Sequence, residues 1–221
     1  MKTPKGQIAV DVVIFTVKDN QLKVLLVTRS YDPFANIASL PGGFIEPDET
    51  TLAAARRILH HKAGVHQVFI EQLCTFDEPR RDPRGRVVTV AYYALLRPEQ
   101  LVIRESHTTQ IPRLQSVNDV KKLAFDHNQI LKYAITRLRA KLSYTNAAYS
   151  LLPAEFTLTE LQRIYEIVNG TSFDKRNFRK KFLSLGLIEP TKKQSDGGRH
   201  RPAMLYRFVS TVPTELSEPA L

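Results

Sequence analysis

The chain has 221 residues, enough for two modest domains, and its 43% apolar and 24% charged content is ordinary for a globular protein. A single cysteine, Cys74, excludes an internal disulfide framework and fits a reducing compartment, while the lack of any long apolar run or leader pattern excludes a membrane span and points to the cytoplasm. The net charge of +10, with a pI near 9.8, is that of a protein that meets a polyanion.

In chain order, residues 8–17 form an apolar, β-branched run broken only by Asp11 and Thr16, and residues 23–28 form another. With Asp19, Asn20 and Gln21 between them as a turn, they read as a strand pair. Arg29 and Ser30 lead into an irregular loop, 31–40, which delivers Pro41-Gly42-Gly43, where the backbone turns and a Cβ would obstruct. Asp48, Thr50 or Thr51 can cap a helix over 52–63, rich in Ala, Arg and Leu, and Gly64 ends it. Strands are predicted over 69–76 and 87–96, flanking the polar loop 77–86 (DEPRRDPRGR). Tyr92 and Tyr93 point to opposite faces of their strand, so at least one belongs to the core. Short strands are predicted at 101–104 and 116–120, and a helix over 124–142 with Ile130, Tyr133, Ala134, Arg137, Leu138 and Lys141 at helical spacing. Strands alternating with two helices fit an α/β/α sandwich for residues 1–142. His60 and His61 are neighbours on a helix and diverge, and with His66 they have no cysteine nearby, so no metal site is expected.

The stretch GFIEPDETTLAAARRILHHKAGV, 43–65, resembles the Nudix box, G-x5-E-x7-R-E-U-x-E-E-x-G-U with U a bulky aliphatic. Gly43, Glu49, Arg57, Leu59, Gly64 and Val65 fall on its fixed positions. Three positions depart: the box has Glu at 58, 61 and 62, and this chain has Ile58, His61 and Lys62. Positions i, i+3 and i+4 share one helix face, which in a Nudix hydrolase is a carboxylate cluster holding Mg²⁺ against a diphosphate. Mg²⁺ takes hard oxygen ligands, which isoleucine, imidazole and ammonium do not supply. The Nudix shape is therefore expected without metal-dependent hydrolysis, although Glu46 and Glu49 leave room for residual activity. The order of elements over 6–142, with DPRGRVVTVAYYALL and LAFDHNQIL, is similar to ADP-ribose-type Nudix proteins. That resemblance implies ligand contacts at Arg29, Glu49, Phe76, Asp82, Arg84, Arg86 and His127. Arginine forks suit a diphosphate, and an aromatic such as Phe76 or Tyr92 stacks on a base; the bland alternative is that Arg84 and Arg86 are solvated loop charges.

Residues 143–156 read as a linker with one helical turn. Thr157-Leu158-Thr159-Glu160 matches a capping box, followed by an apolar stripe of Leu158, Leu161, Ile164, Tyr165 and Val168, and Asn169-Gly170 stops that helix. A second helix, 174–185, faces Phe178, Phe182 and Leu185 inward and carries Lys175, Arg176, Asn177, Arg179, Lys180 and Lys181 outside. Residues 187–189 and 204–209 can pair as a hairpin around a basic loop with Arg199, His200 and Arg201. From 173 to 209 there are five Lys and five Arg against Asp174, Glu189 and Asp196. Helix, helix, hairpin and basic wing in that order read as a winged helix-turn-helix over 157–209, with the second helix in a major groove. Alternatives are a solvated basic face and a protein-binding winged helix. The tail, 210–221, is expected to be disordered.

Together, a Nudix-like part with an altered box and a C-terminal winged helix resemble the Nudix-related transcriptional regulators of the NrtR family, on FTLTELQRIYEIVNG, DKRNFRKKF and GRHRPAMLYRF. The resemblance implies a homodimeric repressor on a palindromic DNA operator, with ADP-ribose as effector, no required cofactor, control of NAD metabolism genes and a place at the nucleoid. Some relatives govern sugar use instead. The competing readings are an active ADP-ribose or nucleotide-sugar pyrophosphatase with an accessory basic domain, and an RNA-binding Nudix protein.

Overall fold

A computed structural model describes residues 6–65, 68–102, 112–195, 202–216 and 219–220. The chain divides into two compact units, residues 1–135 and 136–221. In the first, β1 (Gln7–Lys18) turns through Asp19 and Asn20 into antiparallel β2 (Gln21–Thr28). Both turn residues have positive φ, 52° and 58°, the backbone of a tight hairpin that Asp and Asn tolerate. β3 (Ala38–Ser39) pairs with β2, and β4 (Gly42–Phe44) pairs antiparallel with β1. α1 (Thr51–Ala63) is capped by Thr50, whose hydroxyl accepts the Ala53 N–H, and Gly64 ends it at φ 69°. A Cβ on Gly64 would also lie 2.7 Å from Val102 Cβ, so glycine is needed for conformation and for space.

β5 (Phe69–Phe76) and β6 (Val87–Leu95) are antiparallel, and β6 runs parallel to β1 from Gln7 opposite Val87 to Phe15 opposite Leu95. With β7 (Arg113–Ser116) on β2, the sheet is ordered β3-β2-β1-β6-β5, and β4 and β7 are added to β1 and β2. β1 is buried continuously from Ala9 to Thr16, as a central strand covered on both faces must be. Val10, Val12 and Ile14 form one core with Ala54, Ala55, Ile58, Leu59 and Ala63 of α1. Val13 and Phe15 are buried on the opposite face.

Three local expectations need correction. The strand expected at 116–120 lies earlier, at Arg113–Ser116, and a 3₁₀ turn, Val117–Asp119, takes its place. Leu101 and Val102 are not in a strand, and the rest of 101–104 is outside the described residues. The helix expected from 124 is α2 (His127–Tyr144). Phe125, at φ 53°, is left-handed and cannot continue a right-handed helix. The Asn128 side chain braces the entry, accepting from Leu123 N–H and donating to Lys121 O.

The second unit contains a 3₁₀ segment (Ala147–Leu151), β8 (Phe156–Thr157), α3 (Leu158–Asn169), α4 (Lys175–Ser184), β9 (Ile188–Gln194) and β10 (Met204–Phe208). The hairpin β9-β10 gains a third strand, β8, too short to leave a period in the sequence. Thr157 and Glu160 form the reciprocal capping box, and Gly170 closes α3 at φ 69°. Tyr165 meets Phe178 and Phe182 at 5.7 and 4.8 Å between ring centroids, and Phe178 stacks on Phe182 at 4.3 Å. Within the segment expected as a linker, Ala147, Ala148, Leu151, Leu152 and Phe156 are buried.

The tail was expected to be disordered, but its described residues, 210–216 and 219–220, include several held by hydrogen bonds. Asn146 Nδ2 donates to Ser210 O and Val212 O at 2.9 and 3.0 Å, and its Oδ1 accepts the Thr214 N–H at 2.8 Å. Leu216 N–H bonds Tyr144 O, and Ala220 N–H bonds Ser143 O. Leu216 and Ala220 are thus held by backbone bonds to the end of α2, which the composition of the segment does not signal.

Tyr165 Oη is fully buried with no hydrogen-bond partner among the described residues, and burial drives its pKa up. An unsatisfied buried hydroxyl is unfavourable, so Tyr165→Phe is expected to stabilise the unit by about 1 kcal/mol. Urea denaturation is the check; a variant less stable than the parent would reveal a partner for the hydroxyl.

Candidate functional site

The first unit holds a cavity of about 660 Å³, in the range of small-molecule sites. Three groups of side chains line it. The first is a stack of arginines and rings. Arg29 Cζ lies 4.8 Å from the ring centroids of both Tyr31 and Phe125, and Arg29 Nε donates to Pro33 O at 2.8 Å. Its Nη2 is buried and has no partner among the described residues. Arg84 Cζ lies 5.5 Å from the Phe44 centroid and 5.6 Å from that of Phe125. Asp82 fixes Arg84 through a fork, at 3.0 and 2.6 Å. Burial lifts the Asp82 carboxyl, but hydrogen bonds from Arg84 outweigh it and leave the group below its ordinary value.

The second group is a buried charge network. Arg81 forms a fork with Asp126 at 2.8 and 2.7 Å and reaches Asp11 Oδ2 at 3.4 Å. Burial opposes the Arg81 charge, and the two carboxylates more than offset it, holding its pKa above the ordinary value. His127 Nδ1 accepts the Leu40 N–H at 2.9 Å, so the ring proton belongs on Nε2, 3.5 Å from Asp11 Oδ1. Burial pushes the His127 pKa down. Gly42 lies opposite Asp11 in the β1-β4 pairing, and a Cβ there would stand 2.1 Å from Asp11 Oδ1. Gly43 has open space, so the obstruction expected for the pair applies to Gly42 alone.

The third group is one face of α1: Arg57, Ile58, His60, His61 and Lys62. Arg57 clasps Glu49 through Nε and Nη2 at 2.8 and 2.7 Å and donates to Phe44 O at 3.2 Å, tying the β4–α1 loop to the helix. Ile58 is buried in the core, and burial lowers the Lys62 pKa. Residues 58, 61 and 62 do face the cavity, and they offer no carboxylate. Among the described residues no three His, Cys, Asp or Glu side chains converge as ligands. The donors present do not fit a divalent cation of the Nudix type.

Of the residues expected at a ligand, Arg29, Asp82, Arg84 and His127 line this cavity. Glu49 is engaged with Arg57, Phe76 packs edge-on against Tyr133 with centroids 6.2 Å apart, and Arg86 donates to Asp77 O; none of these three is on the wall. Asp11, Arg81 and Phe125 were missed. A lone carboxylate inside an apolar strand was the available signal for Asp11, whereas nothing distinguished Arg81 from its neighbouring arginines.

In the second unit, Lys175, Arg176, Asn177 and Lys180 are exposed on α4, and Lys181 is half-buried. Asp174 caps the helix by accepting the Asn177 N–H at 2.8 Å. Arg179 is half-buried and donates to Thr159 Oγ1 at 3.2 Å, so it also joins α4 to α3. Arg199, His200 and Arg201 lie outside the described residues.

Comparison with known proteins fits both units. The NUDIX domain family matches residues 6–136, and the NrtR DNA-binding winged helix domain matches residues 148–208. The ADPR responsive transcriptional repressor NtrR of Acinetobacter baylyi is 40% identical over 211 residues, 93% of this chain and 83% of the relative. An ADP-ribose pyrophosphatase of Methanocaldococcus jannaschii is 34% identical over 57% of this chain and 70% of its own length, so relatives include an enzyme as well as a repressor. The crystal structure of Shewanella oneidensis NrtR with a 27mer DNA superposes with a TM-score of 0.80 at 37% identity, covering 91% of this chain and 93% of that one. The NUDIX domain of the same protein with ADP ribose gives a TM-score of 0.57 at 41% identity, covering 62% of this chain and 90% of that one. With both of its parts matched in order, this chain belongs to the NrtR family of Nudix-related proteins that carry a C-terminal winged helix.

Proposed function

We propose that the chain is a DNA-binding transcriptional repressor whose Nudix unit senses ADP-ribose and does not hydrolyse it. One observation carries this reading: the α1 face that would hold a metal presents Ile58, His61 and Lys62 to a cavity lined with arginines. Residues 1–142 form the sensor and 157–209 the DNA-binding domain. Arg29, Asp82, Arg84 and His127 are the ligand contacts the cavity geometry favours, with Asp11 added to them. Lys175, Arg176, Asn177 and Lys180 are the groups α4 offers to DNA. The protein acts as a homodimer on a palindromic operator, so two recognition helices meet successive major grooves. It works in the cytoplasm at the nucleoid, on genes of NAD metabolism, and needs no cofactor.

ADP-ribose shifts the DNA equilibrium only through its different affinity for the DNA-competent and free states. The ADPR-responsive relative and the ADP-ribose-bound NUDIX domain support the choice of effector. A mobility shift with operator DNA, with and without ADP-ribose, tests the claim. The expected result is at least a several-fold change in DNA affinity; an unchanged affinity at saturating ligand would remove the sensor. The pyrophosphatase reading is favoured by the archaeal relative and is tested in the same preparation. Incubation with ADP-ribose and Mg²⁺ or Mn²⁺ is expected to leave the nucleotide intact, and steady turnover to AMP would establish the enzyme instead.

A further inference from the structure

The buried polar groups of the cavity form two sets of opposite character, and the Phe125 ring touches both. Arg29 belongs to the first: its Cζ lies 4.8 Å from the Phe125 centroid, and its buried Nη2 has no partner among the described residues. A buried guanidinium with an unused N–H draws an anion. The second set is Asp11, Arg81, Asp126 and His127, whose ring lies 5.3 Å from that of Phe125. There one guanidinium meets two carboxylates, and burial disfavours the charged form of His127. The set carries a surplus of negative charge and repels a phosphate.

Asp11 keeps acceptor capacity that its neighbours have spent. It is buried on the cavity wall, yet its contacts are long, 3.4 Å from Oδ2 to Arg81 Nη2 and 3.5 Å from Oδ1 to His127 Nε2. Asp82, the other carboxylate on the wall, gives both oxygens to Arg84 at 3.0 and 2.6 Å. His127 Nδ1 accepts the Leu40 N–H at 2.9 Å, which leaves the ring proton on Nε2 to be donated. The interval of 3.5 Å between Nε2 and Oδ1 is wide for a direct hydrogen bond. It suits a single oxygen seated about 2.8 Å from each atom.

We propose that Asp11 and His127 together seat a ribose hydroxyl of the nucleotide, which donates to Asp11 Oδ1 and accepts from His127 Nε2–H. This inference rests on the nucleotide-sensor reading above and adds to it the pair that reads the sugar. A hydroxyl is uncharged, so the surplus carboxylate does not repel it. It also donates and accepts through one oxygen, as the pair requires. A phosphate oxygen brings no proton for Asp11. A ligand without the hydroxyl leaves two buried polar groups unpaired, and such a site discriminates strongly.

Isothermal titration of the full chain with ADP-ribose, ADP and 2′,3′-dideoxy-ADP tests this and finds which ribose is held. A seat for the terminal ribose makes the parent prefer ADP-ribose to ADP by about ten- to hundredfold, the range of a lost charged hydrogen bond. A seat for the nucleoside ribose gives ADP a similar margin over the dideoxy nucleotide. In either case Asp11→Asn and His127→Asn are each expected to cut the margin to within about threefold. Asparagine at position 127 can still accept the Leu40 N–H through its amide oxygen, while it lacks Nε2 and changes no charge. That variant therefore separates a lost hydroxyl contact from a change in electrostatics, and it carries the test alone if Asp11→Asn fails to fold. A purely structural role would lower the melting temperature of the variants and leave the parent's margin in place, which would overturn the inference and keep the sensor. A parent that shows neither margin would do the same. No ADP-ribose binding by the parent would overturn the nucleotide-sensor reading itself.

Discussion

Replacing Arg81 with methionine is expected to destabilise the first unit by about 3–5 kcal/mol, the usual effect of stripping one partner from a buried ion pair. The Arg81 side chain is 3% exposed, and its partners Asp11 and Asp126 are 8% and 9% exposed. Without the guanidinium, two carboxylates would remain in the protein with little water and no counter-charge. They could escape only by taking up protons or by opening the 77–86 loop. A control in the same unit is Arg97→Gln. That side chain is 31% exposed and its partner Glu99 62%, so the pair belongs to the class of surface bridges worth less than about 1 kcal/mol. Urea denaturation of the two variants beside the parent should therefore separate them by several-fold in lost stability. An Arg81→Met protein that unfolds at the parent's urea midpoint would mean that the network contributes nothing net.

Charge removal on α4 is the second large effect. Arg176→Gln with Lys180→Gln is expected to weaken operator binding roughly five- to tenfold per residue at physiological salt, and to reduce the slope of log K against log salt by about two. Both residues are exposed and neither takes part in packing the helix, so the fold should be unaffected. Arg179 is a poorer choice for this purpose, because its bond to Thr159 mixes a stability effect into any change of affinity. Fluorescence anisotropy over a salt series measures both quantities. A slope equal to the parent's would move the phosphate contacts off α4, leaving the basic loop around 199–201 as the next segment to substitute.

Much of the fold was legible because its signals are local. Gly64 and Gly170 stop their helices at φ 69°, as glycines after a periodic run should. The capping box at Thr157 and Glu160 appeared where the spacing placed it. The Nudix-box face of α1 was also readable from spacing alone, since 58, 61 and 62 share one side of any helix. Other features carried no local sign. Phe125 interrupts what looked like continuous helix by taking a left-handed backbone, and in doing so brings its ring against Arg29 and Arg84. The tail looked like a loose end, but Asn146 fastens it from 64 to 68 residues away in sequence.

The amino-acid sequence by itself determined the two-part architecture, the altered metal face and the basic second helix, because period, caps and charge runs act between residues a few positions apart. Only the tertiary structure decided which arginine of the 77–86 loop is buried. Arg81 meets Asp126 and Asp11, 45 and 70 positions away, and which side chains meet over such distances is set by how the β-strands and loops come together. Glu49, expected at a ligand, pairs in the fold with Arg57 eight positions away and is not on the cavity wall. Local chemistry names the groups available, and long-range packing assigns their partners.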